Sequence, residues 1–334
     1  MSIGSATLEG RSTLVTGAGG FIGGHLCARL VEEGASVRAF VRYNSRGNYG
    51  TLDWLDPAIV QEIDVVAGDL RDVESVDRAM AGTEVVFHLG AQIAIPYSYV
   101  NPRDFVETNA VGALNIAESA RRHGVTAIVH TSSSEVYGSA RTVPITEDHP
   151  LEPQSPYAAS KLAADKLMDA YHRTFDLPVV VLRPFNTYGP FQSARAVIPT
   201  IIAQALERSE VRLGSLEPRR DLTFVHDTVS GFIAAATHPA AIGRTIQLGT
   251  GAELSVGEIV QTVGRLLDKE LVPVDDVARV RPPNSEVDRL ISDPSLAREL
   301  LDWRAQTDIA EGLRATIEWI DANRGRFRPD TYAI

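Results

Sequence analysis

The stretch Thr16-Gly17-Ala18-Gly19-Gly20-Phe21-Ile22-Gly23-Gly24 links a short apolar run to a helical pattern that continues to about Glu33. Glycines at positions 17, 20 and 23 allow a tight turn and a close approach of the backbone to a ligand. A pyrophosphate can then bind at the positive N-terminal end of the helix. The spacing is GxxGxxG, and such loops also occur as bare turns. The preceding strand, the following helix and Asp69 at the end of a later strand favour a dinucleotide site.

Short β-branched and apolar runs alternate with helical patterns through the first half of the chain. This alternation predicts right-handed βαβ units and a mostly parallel sheet. The runs are almost continuously apolar, as expected for strands that are buried on both faces. The predicted strands are 12–16, 37–41, 65–67, 85–89, 127–131 and 179–182. We therefore predict an α/β fold, namely a Rossmann-type doubly wound parallel sheet with a smaller α/β substrate-binding domain.

The end of the second predicted strand reads Val41-Arg42-Tyr43-Asn44-Ser45-Arg46. An acid at this place would bind the ribose hydroxyls of NAD, but the segment has two arginines and no carboxylate. A 2′-phosphate is the better-matched ligand, so we expect NADP as the cofactor. Alternatively, Arg42 and Arg46 are solvated loop residues, and NAD binds through the other contacts.

The pattern changes after Arg183 to shorter helices, predicted at 197–206, 256–267 and 309–319, which are separated by proline and glycine. We expect residues 1–185 to form an NAD(P)-binding Rossmann domain and residues 186–334 to form the substrate-binding domain, with some segments interleaved. The cleft between them is the expected ligand site.

The composition excludes several classes of function. The chain has 334 residues, 44% of them apolar, and a formal net charge of −11. Without a cluster of Lys and Arg, such an acidic chain is not expected to bind nucleic acid. No apolar run approaches the roughly eighteen residues of a membrane span, and the N-terminus lacks a signal-peptide pattern, so we expect a cytoplasmic protein without membrane partners. The single Cys27 predicts neither a disulfide nor a metal site, and it should fill the core.

Two segments carry candidate catalytic groups: Ser132-Ser133-Ser134-Glu135-Val136-Tyr137-Gly138 and, further along, Tyr157-Ala-Ala-Ser-Lys161. A Tyr and a Lys four residues apart share one helix face. A phenol with a pKa of about 10 becomes a usable base at neutral pH beside a fixed positive charge, which Lys161 would supply. Glu135 adds a second base, although it could also be a buried structural carboxylate. We expect Ser132 to hydrogen-bond at the strand end and Tyr137 to pack.

Several further motifs accompany these segments. They are the glycine loop, Asp69-Leu70, His88-Leu-Gly-Ala91 and Arg183-Pro-Phe-Asn186-Thr-Tyr-Gly-Pro190. Together with Tyr157-x-x-x-Lys161 they resemble the extended short-chain dehydrogenase/reductase family, and the likeness extends over nearly the whole sequence.

Within that family, the segment around Glu135 resembles the nucleotide-sugar 4,6-dehydratases, whereas 4-epimerases usually have a small residue at this position. Residues 213–221 and 286–294 resemble GDP-mannose 4,6-dehydratases, although a long insertion of that group is missing. Segments 42–46, 93–99 and 192–199 are similar to UDP-N-acetylglucosamine 4,6-dehydratases of the legionaminic-acid pathway type. The resemblance therefore implies a nucleotide-diphosphate sugar as substrate, with UDP-N-acetylglucosamine as the leading candidate.

The resemblance also implies roles for the catalytic residues. Tyr157 would take the proton of the sugar 4-hydroxyl, assisted by Ser133 and Lys161, while carbon 4 gives hydride to a tightly bound, recycled nicotinamide. Glu135 would remove the proton on carbon 5, and water would leave from carbon 6. Because Ser134 stands where dTDP-glucose 4,6-dehydratases have an Asp, Glu135 would act as base and then as acid. Hydride return to carbon 6 gives a 4-keto-6-deoxy sugar.

The remaining expected contacts follow from the same resemblance. The expected cofactor-binding residues are Gly17, Gly20, Phe21, Ile22, Gly23, Arg42, Asn44, Ser45, Arg46, Asp69, Leu70, Leu89, Ala91, Thr108, Tyr157, Lys161 and Pro184. The expected substrate-binding residues are Ser98, Asn186, Arg195, Val197, Arg220, Arg281 and Glu286, of which the arginines could instead form surface ion pairs. A homodimer built from helices at 102–123 and 156–175 is also implied, although the apolar residues of these helices could equally face the sheet.

Other functions remain open from the sequence alone. A UDP-glucuronate decarboxylase carries a similar segment around Glu135 and begins with the same oxidation. A 5,6-dehydratase and a 4-epimerase differ only in the steps after oxidation. A nicotinamide-binding sensor without catalysis is the alternative outside the enzymes, because a fold does not determine a function.

Overall fold

The computed structural model describes residues 7–279, 287 and 289–329. Within them the strands are β1 (Ser12–Thr16), β2 (Ser36–Arg42), β3 (Ile63–Gly68), β4 (Val85–His88), β5 (Ala127–Thr131), β6 (Val179–Pro184), β7 (Asn186–Tyr188), β8 (Glu210–Leu213), β9 (Arg219–Arg220), β10 (Leu222–Phe224), β11 (Thr245–Leu248), β12 (Leu254–Ser255), β13 (Val272–Asp275) and β14 (Arg289–Leu290). The helices are α1 (Phe21–Glu32), α2 (Pro57–Gln61), α3 (Val73–Met80), α4 (Ile95–Val100), α5 (Pro102–Phe105), α6 (Gly112–His123), α7 (Pro156–Phe175), α8 (Val197–Glu207), α9 (Val225–Thr237), α10 (Val256–Leu266), α11 (Ser295–Leu301) and α12 (Ile309–Ala322).

The main sheet has seven strands in the order β3-β2-β1-β4-β5-β6-β11. Neighbouring strands are parallel throughout. The order reverses between β1 and β4, and in doubly wound sheets ligands bind in the crevice outside the strand ends at such a point. The structure thus confirms the predicted Rossmann-type sheet. The strands predicted at 12–16 and 127–131 agree with β1 and β5, and the other four differ at their ends by one or two residues.

Helices cover both faces of this sheet, which explains why its strands are almost continuously apolar. On one face α1, α9 and α11 form a core that includes Leu26, Phe232 and Leu301. On the other face α3, α6 and α7 form a second core around Ile116 and Met168. Each large side chain buried in this way stabilises the fold by roughly 1.5 to 3 kcal/mol.

The residues after β6 belong to two regions. The helices predicted at 197–206, 256–267 and 309–319 correspond to α8, α10 and α12, which pack around a third core with β8 and β10. In contrast, α9 and β11 return to the main sheet and its first core. The part of the sequence that follows residue 185 is therefore interleaved with the Rossmann part, and the domain boundary itself stays a prediction.

Neither a membrane span nor a metal site is found among the described residues. No helix there combines the length and the apolar character needed to cross a membrane. The same residues contain no group of three His, Cys, Asp or Glu side chains able to hold a metal ion. Cys27 is fully buried on α1, and burial raises the pKa of its thiol, so its predicted place in the core is confirmed.

Asp221 joins the small sheets of the second region. The carboxylate is fully buried between β9 and β10, and it accepts five hydrogen bonds. The donors are the backbone N–H and hydroxyl of Thr250 (2.8 and 2.7 Å), the N–H of Gly251 (3.0 Å) and the N–H and hydroxyl of Ser292 (3.1 and 2.6 Å). Both side-chain oxygens act as acceptors, so an amide at this position could not accept from all five donors.

We expect Asp221→Asn to lower the free energy of unfolding by about 2 kcal/mol, because the new amide N–H₂ would face buried donors. Urea denaturation followed by circular dichroism measures the change. The control is Asp321→Asn, whose carboxylate is 49% exposed and pairs with Arg324. Loss of that surface ion pair should change the free energy of unfolding by less than about 1 kcal/mol. Equal stability of the Asp221→Asn protein and the wild type would contradict this account.

Candidate active site

A cleft of about 630 Å³ lies at the carboxyl ends of β1, β4, β5 and β6. Its size falls within the range of roughly 300 to 1,000 Å³ that is usual for ligand sites. One wall consists of the glycine loop and the start of α1, and the other consists of β7, the 132–135 segment and α7. The cleft therefore lies where the predicted dinucleotide and substrate sites meet.

The glycine loop is shaped by close backbone contacts. Gly17 has a φ of +70°, and a Cβ atom there would lie 2.7 Å from the backbone nitrogen of Gly90. A Cβ atom at Gly23 would overlap the carbonyl oxygen of Gly17. The N-terminus of α1 has no side-chain cap among the described residues, and its first turn contains no acidic residue. The N–H groups of this first turn and the helix dipole therefore suit a bound anion.

Most of the predicted cofactor residues line this cleft. They are Gly17, Gly20, Phe21, Ile22, Gly23, Arg42, Asn44, Leu89, Ala91, Tyr157, Lys161 and Pro184. Five others lie outside its lining in the described part of the protein: Ser45, Arg46, Asp69, Leu70 and Thr108. Asp69 instead accepts hydrogen bonds from the Arg71 guanidinium, which lowers the pKa of its carboxyl group.

The cleft also contains residues that the sequence analysis did not select. The most informative are Asn48, Tyr49 and Gly50, which lie beside the glycine loop. They are held there because the N–H of Thr51 donates to the carbonyl of Gly19 at 3.0 Å. Gly50, which has a positive φ, was the available sequence signal for a turn, but nothing local indicates which loop that turn contacts.

Helix α7 carries the Tyr–Lys pair into the cleft. The helix begins where the Ser155 hydroxyl accepts from the N–H of Ala158 at 3.1 Å, with Pro156 at the first position. Lys161 is only 4% exposed, and burial lowers the pKa of its ammonium group to about 8. The one-turn spacing places Tyr157 and Lys161 on the same helix face, as predicted.

The proton affinity of Tyr157 differs from the expectation. Burial, the largest cause, raises the pKa of the phenol to about 12. The Ser133 side chain acts to lower this pKa, and the charges of Glu135 and Asp165 act to raise it. The expected lowering by Lys161 is therefore wrong for this structure. The physical reason is that desolvation and two carboxylates disfavour a phenolate.

The segment after β5 forms a tight 3₁₀ turn over Ser134–Tyr137. The Ser133 hydroxyl caps this turn by accepting from the N–H of Glu135 at 3.2 Å. Ser133, Ser134 and Glu135 all line the cleft, and Glu135 is half-buried. Glu135 and Tyr157 both line the cleft, so the two predicted bases face the same space.

Fewer of the predicted substrate-binding residues than of the predicted cofactor-binding residues line the cleft. Asn186 lines the cleft, and its buried Oδ1 has no hydrogen-bond partner among the described residues. The others with described positions lie outside the lining: Ser98, Arg195, Val197 and Arg220. Arg281 and Glu286 fall outside the described residues.

Two of these predicted substrate-binding residues form hydrogen bonds with residues close to them in the sequence. The buried Ser98 hydroxyl donates to the carbonyl of Ile95 at 2.6 Å, and the exposed Arg195 donates from Nε to the Ser193 hydroxyl at 3.3 Å. Their place in substrate binding stays a prediction, because neither side chain lines the cleft in this structure.

A row of buried polar side chains lies beneath the cleft. Thr16 Oγ1 and His88 Nδ1 are 2.8 Å apart, the rings of His88 and His130 stack, and His130 Nε2 lies 3.3 Å from Asp165 Oδ1. Burial lowers the pKa of both histidines, so both are neutral near pH 7. No local sequence pattern predicts this row, because its members come from four separate elements.

The known proteins that this chain resembles are described as enzymes of nucleotide sugars. Residues 14–316 match the family described as GDP-mannose 4,6 dehydratase. The protein is 35% identical over 315 residues to a UDP-glucose 4-epimerase from Mycolicibacterium smegmatis, with 92% of this chain and 97% of the relative covered. It is 35% identical over 323 residues to a dTDP-glucose 4,6-dehydratase from Streptomyces antibioticus, with 95% and 94% covered.

A solved structure extends the comparison to three dimensions. The dTDP-glucose 4,6-dehydratase from Streptomyces venezuelae, determined with bound NAD, superimposes with a TM-score of 0.83 at 30% identity, covering 95% of this chain and 99% of that one. These matches confirm the resemblance to nucleotide-sugar enzymes of the extended short-chain dehydrogenase/reductase type. The chain belongs to the GDP-mannose 4,6-dehydratase family.

Proposed function

We propose that this protein is a nucleotide-sugar 4,6-dehydratase that converts a nucleotide-diphosphate hexose to its 4-keto-6-deoxy derivative. The observation that carries the proposal is the Glu135 carboxylate, which lines the cleft and acts on the pKa of Tyr157. Oxidation at carbon 4 needs one base beside the sugar. A second base near the first suits the removal of another proton from the same sugar, as elimination of water requires.

A nicotinamide dinucleotide is the cofactor we propose. Its pyrophosphate would bind at the uncapped N-terminus of α1, where Gly17 and Gly23 leave space that a Cβ atom would fill. When bound, the nicotinamide supplies a hydride acceptor, a later hydride donor and a positive charge. Tyr157 would accept the proton of the 4-hydroxyl, and Ser133 would hydrogen-bond the same oxygen.

Glu135 would then perform the elimination. The 4-ketone acidifies the hydrogen on carbon 5, which Glu135 removes as a general base. The neighbouring Ser134 is buried and has no acidic group, so the proton held by Glu135 is available for the hydroxyl that leaves carbon 6. Glu135 therefore serves as base and then as acid.

UDP-N-acetylglucosamine is the substrate we propose. Support comes from the resemblance of segments 42–46, 93–99 and 192–199 to dehydratases of that sugar. Ile93 and Ala94 from the second of these segments line the cleft, whereas Arg42 and Asn44 from the first lie on its cofactor side. Asn186 offers an acceptor that has no partner in the described part of the protein, and Arg220 and Arg281 remain the proposed contacts of the diphosphate.

The second candidate is a nucleotide-sugar 4-epimerase. A relative at 35% identity has that description, and a UDP-glucose 4-epimerase from Thermotoga maritima superimposes with a TM-score of 0.85 at 27% identity. An epimerase would use Tyr157 and Lys161 in the same way but would leave the mass of the sugar unchanged. Product mass therefore separates the two candidates.

The first test is incubation of the purified protein with NADP or NAD and a panel of UDP-N-acetylglucosamine, GDP-mannose, dTDP-glucose and UDP-glucuronate. Mass spectrometry should show loss of one water from UDP-N-acetylglucosamine, with no net change in the cofactor.

The Glu135→Gln variant should still form reduced cofactor, but it should release water from the sugar at least about a hundredfold more slowly than the wild type.

The matched control for that variant is Glu152→Gln, which changes a carboxylate that pairs with Arg141 at the surface. It should leave the rate of water loss within about twofold of wild type. Loss of carbon dioxide, an unchanged sugar mass, or efficient water loss by Glu135→Gln would each contradict the proposal.

We further propose that NADP is preferred over NAD. Arg42 is exposed at the end of β2 and lines the cleft, where its charge suits a 2′-phosphate.

Calorimetric titration should show that Arg42→Ala weakens NADP binding by at least about tenfold and changes NAD binding by less than about twofold. Arg78→Ala, at an exposed position on α3, serves as the control. Tighter binding of NAD than of NADP by the wild type would instead make NAD the cofactor, as in the solved relative.

A homodimer is the proposed assembly. The inner faces of α6 and α7 are buried, but Val106, Val111 and Phe175 are 50%, 41% and 47% exposed on the outside of the same helical layer. Light scattering should give a mass near twice the 36.2 kDa of one subunit. Val106→Asp should shift this to the monomer, whereas Val73→Asp, at an equally exposed valine, should not. A monomeric wild type would exclude the proposed assembly.

A further inference from the structure

We propose that Asp165 and Arg183 are positioning residues, which hold the turn that carries Glu135 against the helix that carries Tyr157 and Lys161. Neither side chain lines the cleft. The inference rests on the proposed function, because it assigns the two bases to successive steps on one sugar. The anchoring of the segment from Ser132 to Tyr137 does not itself depend on that function.

The C-terminal end of this segment is anchored through Tyr137, whose side chain is fully buried. Its hydroxyl accepts from Nη1 of Arg183 at 3.0 Å and from Nε2 of Gln247 at 2.8 Å. The guanidinium carbon also lies 5.0 Å from the centre of the Tyr137 ring. Burial raises the pKa of the phenol, so this group is a neutral hydrogen-bonding anchor and not a base.

The N-terminal end is anchored through Ser132. Its hydroxyl donates to Oδ2 of Asp165 at 2.6 Å, and its N–H donates to the carbonyl of Leu182 at 2.7 Å. Asp165 lies on α7 one turn after Lys161 and is 3% exposed. The start of the turn is therefore tied directly to the helix that carries Tyr157 and Lys161.

Arg183 joins the two anchors. Its Nη2 donates to the same Oδ2 of Asp165 at 3.0 Å, while Nη1 donates to Tyr137. A planar guanidinium fixes the angle between these two contacts, which a lysine would not. Both ends of the turn are thus held from beneath by one ion pair, and the intervening residues Ser133 to Glu135 face the cleft.

Loss of the Tyr137 anchor should act more on elimination than on oxidation. Oxidation depends on Tyr157 and Lys161, which are fixed by α7 itself, and on Ser133, which adjoins the Ser132 anchor that loss of the Tyr137 hydroxyl leaves in place. Elimination depends also on the place of Glu135, and an error of about 1 Å in a catalytic group costs on the order of a hundredfold in rate. A purely structural role would instead reduce both steps equally, through the fraction of folded protein.

The test uses Tyr137→Phe, which removes the hydroxyl and keeps the ring. Hydrogen exchange measured by mass spectrometry on the full-length protein should show at least about threefold faster exchange in peptides covering 132–138, with no change in peptides from α7. In a single turnover, reduced cofactor should form within about twofold of the wild-type rate, and its reoxidation and water loss should slow by about tenfold or more.

The matched control is Tyr171→Phe, which removes another phenolic hydroxyl, one that hydrogen-bonds Glu118. It should leave both the exchange of 132–138 and the two kinetic phases unchanged. Gln247→Met provides a second variant if Tyr137→Phe does not fold, because it removes one of the two donors to Tyr137 and keeps a side chain of similar length. It should change the same peptides in the same direction by a smaller amount.

Unchanged exchange at 132–138, or an equal slowing of oxidation and elimination, would overturn the proposal. The exchange experiment does not depend on turnover. If the wild type releases water from no sugar in the panel while Tyr137→Phe still loosens 132–138 alone, the anchoring is supported and the proposed function fails.

Discussion

The buried ion pair between Asp165 and Arg183 is the interaction on which the arrangement of the cleft depends. Removing two charges from water costs several kcal/mol for each ion, and attraction alone rarely offsets this cost. Here additional hydrogen bonds support the pair, one from Ser132 to Oδ2 of Asp165 and one from Arg183 to Tyr137, while His130 Nε2 lies 3.3 Å from Oδ1 of Asp165. The contacts that make the buried charges tolerable are the same ones that bracket the turn carrying Glu135, so stability and geometry have a common origin.

Burial also shifts the pKa values of the two side chains that are proposed to act in the oxidation. It lowers the pKa of Lys161 to about 8 and raises that of Tyr157 to about 12, because a poorly solvated cleft disfavours both charged forms. Lys161 remains mostly protonated at pH 7, and Tyr157 remains neutral. A phenolate therefore needs a further positive charge nearby, and a low local dielectric makes one such charge effective. The positive ring of an oxidised nicotinamide is suited to this task.

The path of the backbone explains why residues from before and after residue 185 line the same cleft. After β6 the backbone forms β7, whose Asn186 and Thr187 line the cleft, and later returns through α9 and β11 to the main sheet. The carboxylate of Asp221 fastens the intervening strands to the loop at 250–251. The proposed substrate side is thus held by buried hydrogen bonds and not by a flexible connection.

The sequence alone determined the features that depend on neighbouring residues. Strand and helix periodicity predicted the parallel sheet, the glycine spacing predicted the turn before α1, and the Tyr157-x-x-x-Lys161 spacing predicted a shared helix face, because each is a local backbone or helix-face property. The family resemblance supplied most of the other predicted residues of the cleft lining. Tertiary structure decided the rest: the contact of Asn48 to Gly50 with the glycine loop, the anchoring of Glu135, and the raised pKa of Tyr157. Those features depend on desolvation and on contacts between distant segments, which no local pattern encodes. For the same reason Arg195 and Arg220, selected by motif, lie outside the cleft lining.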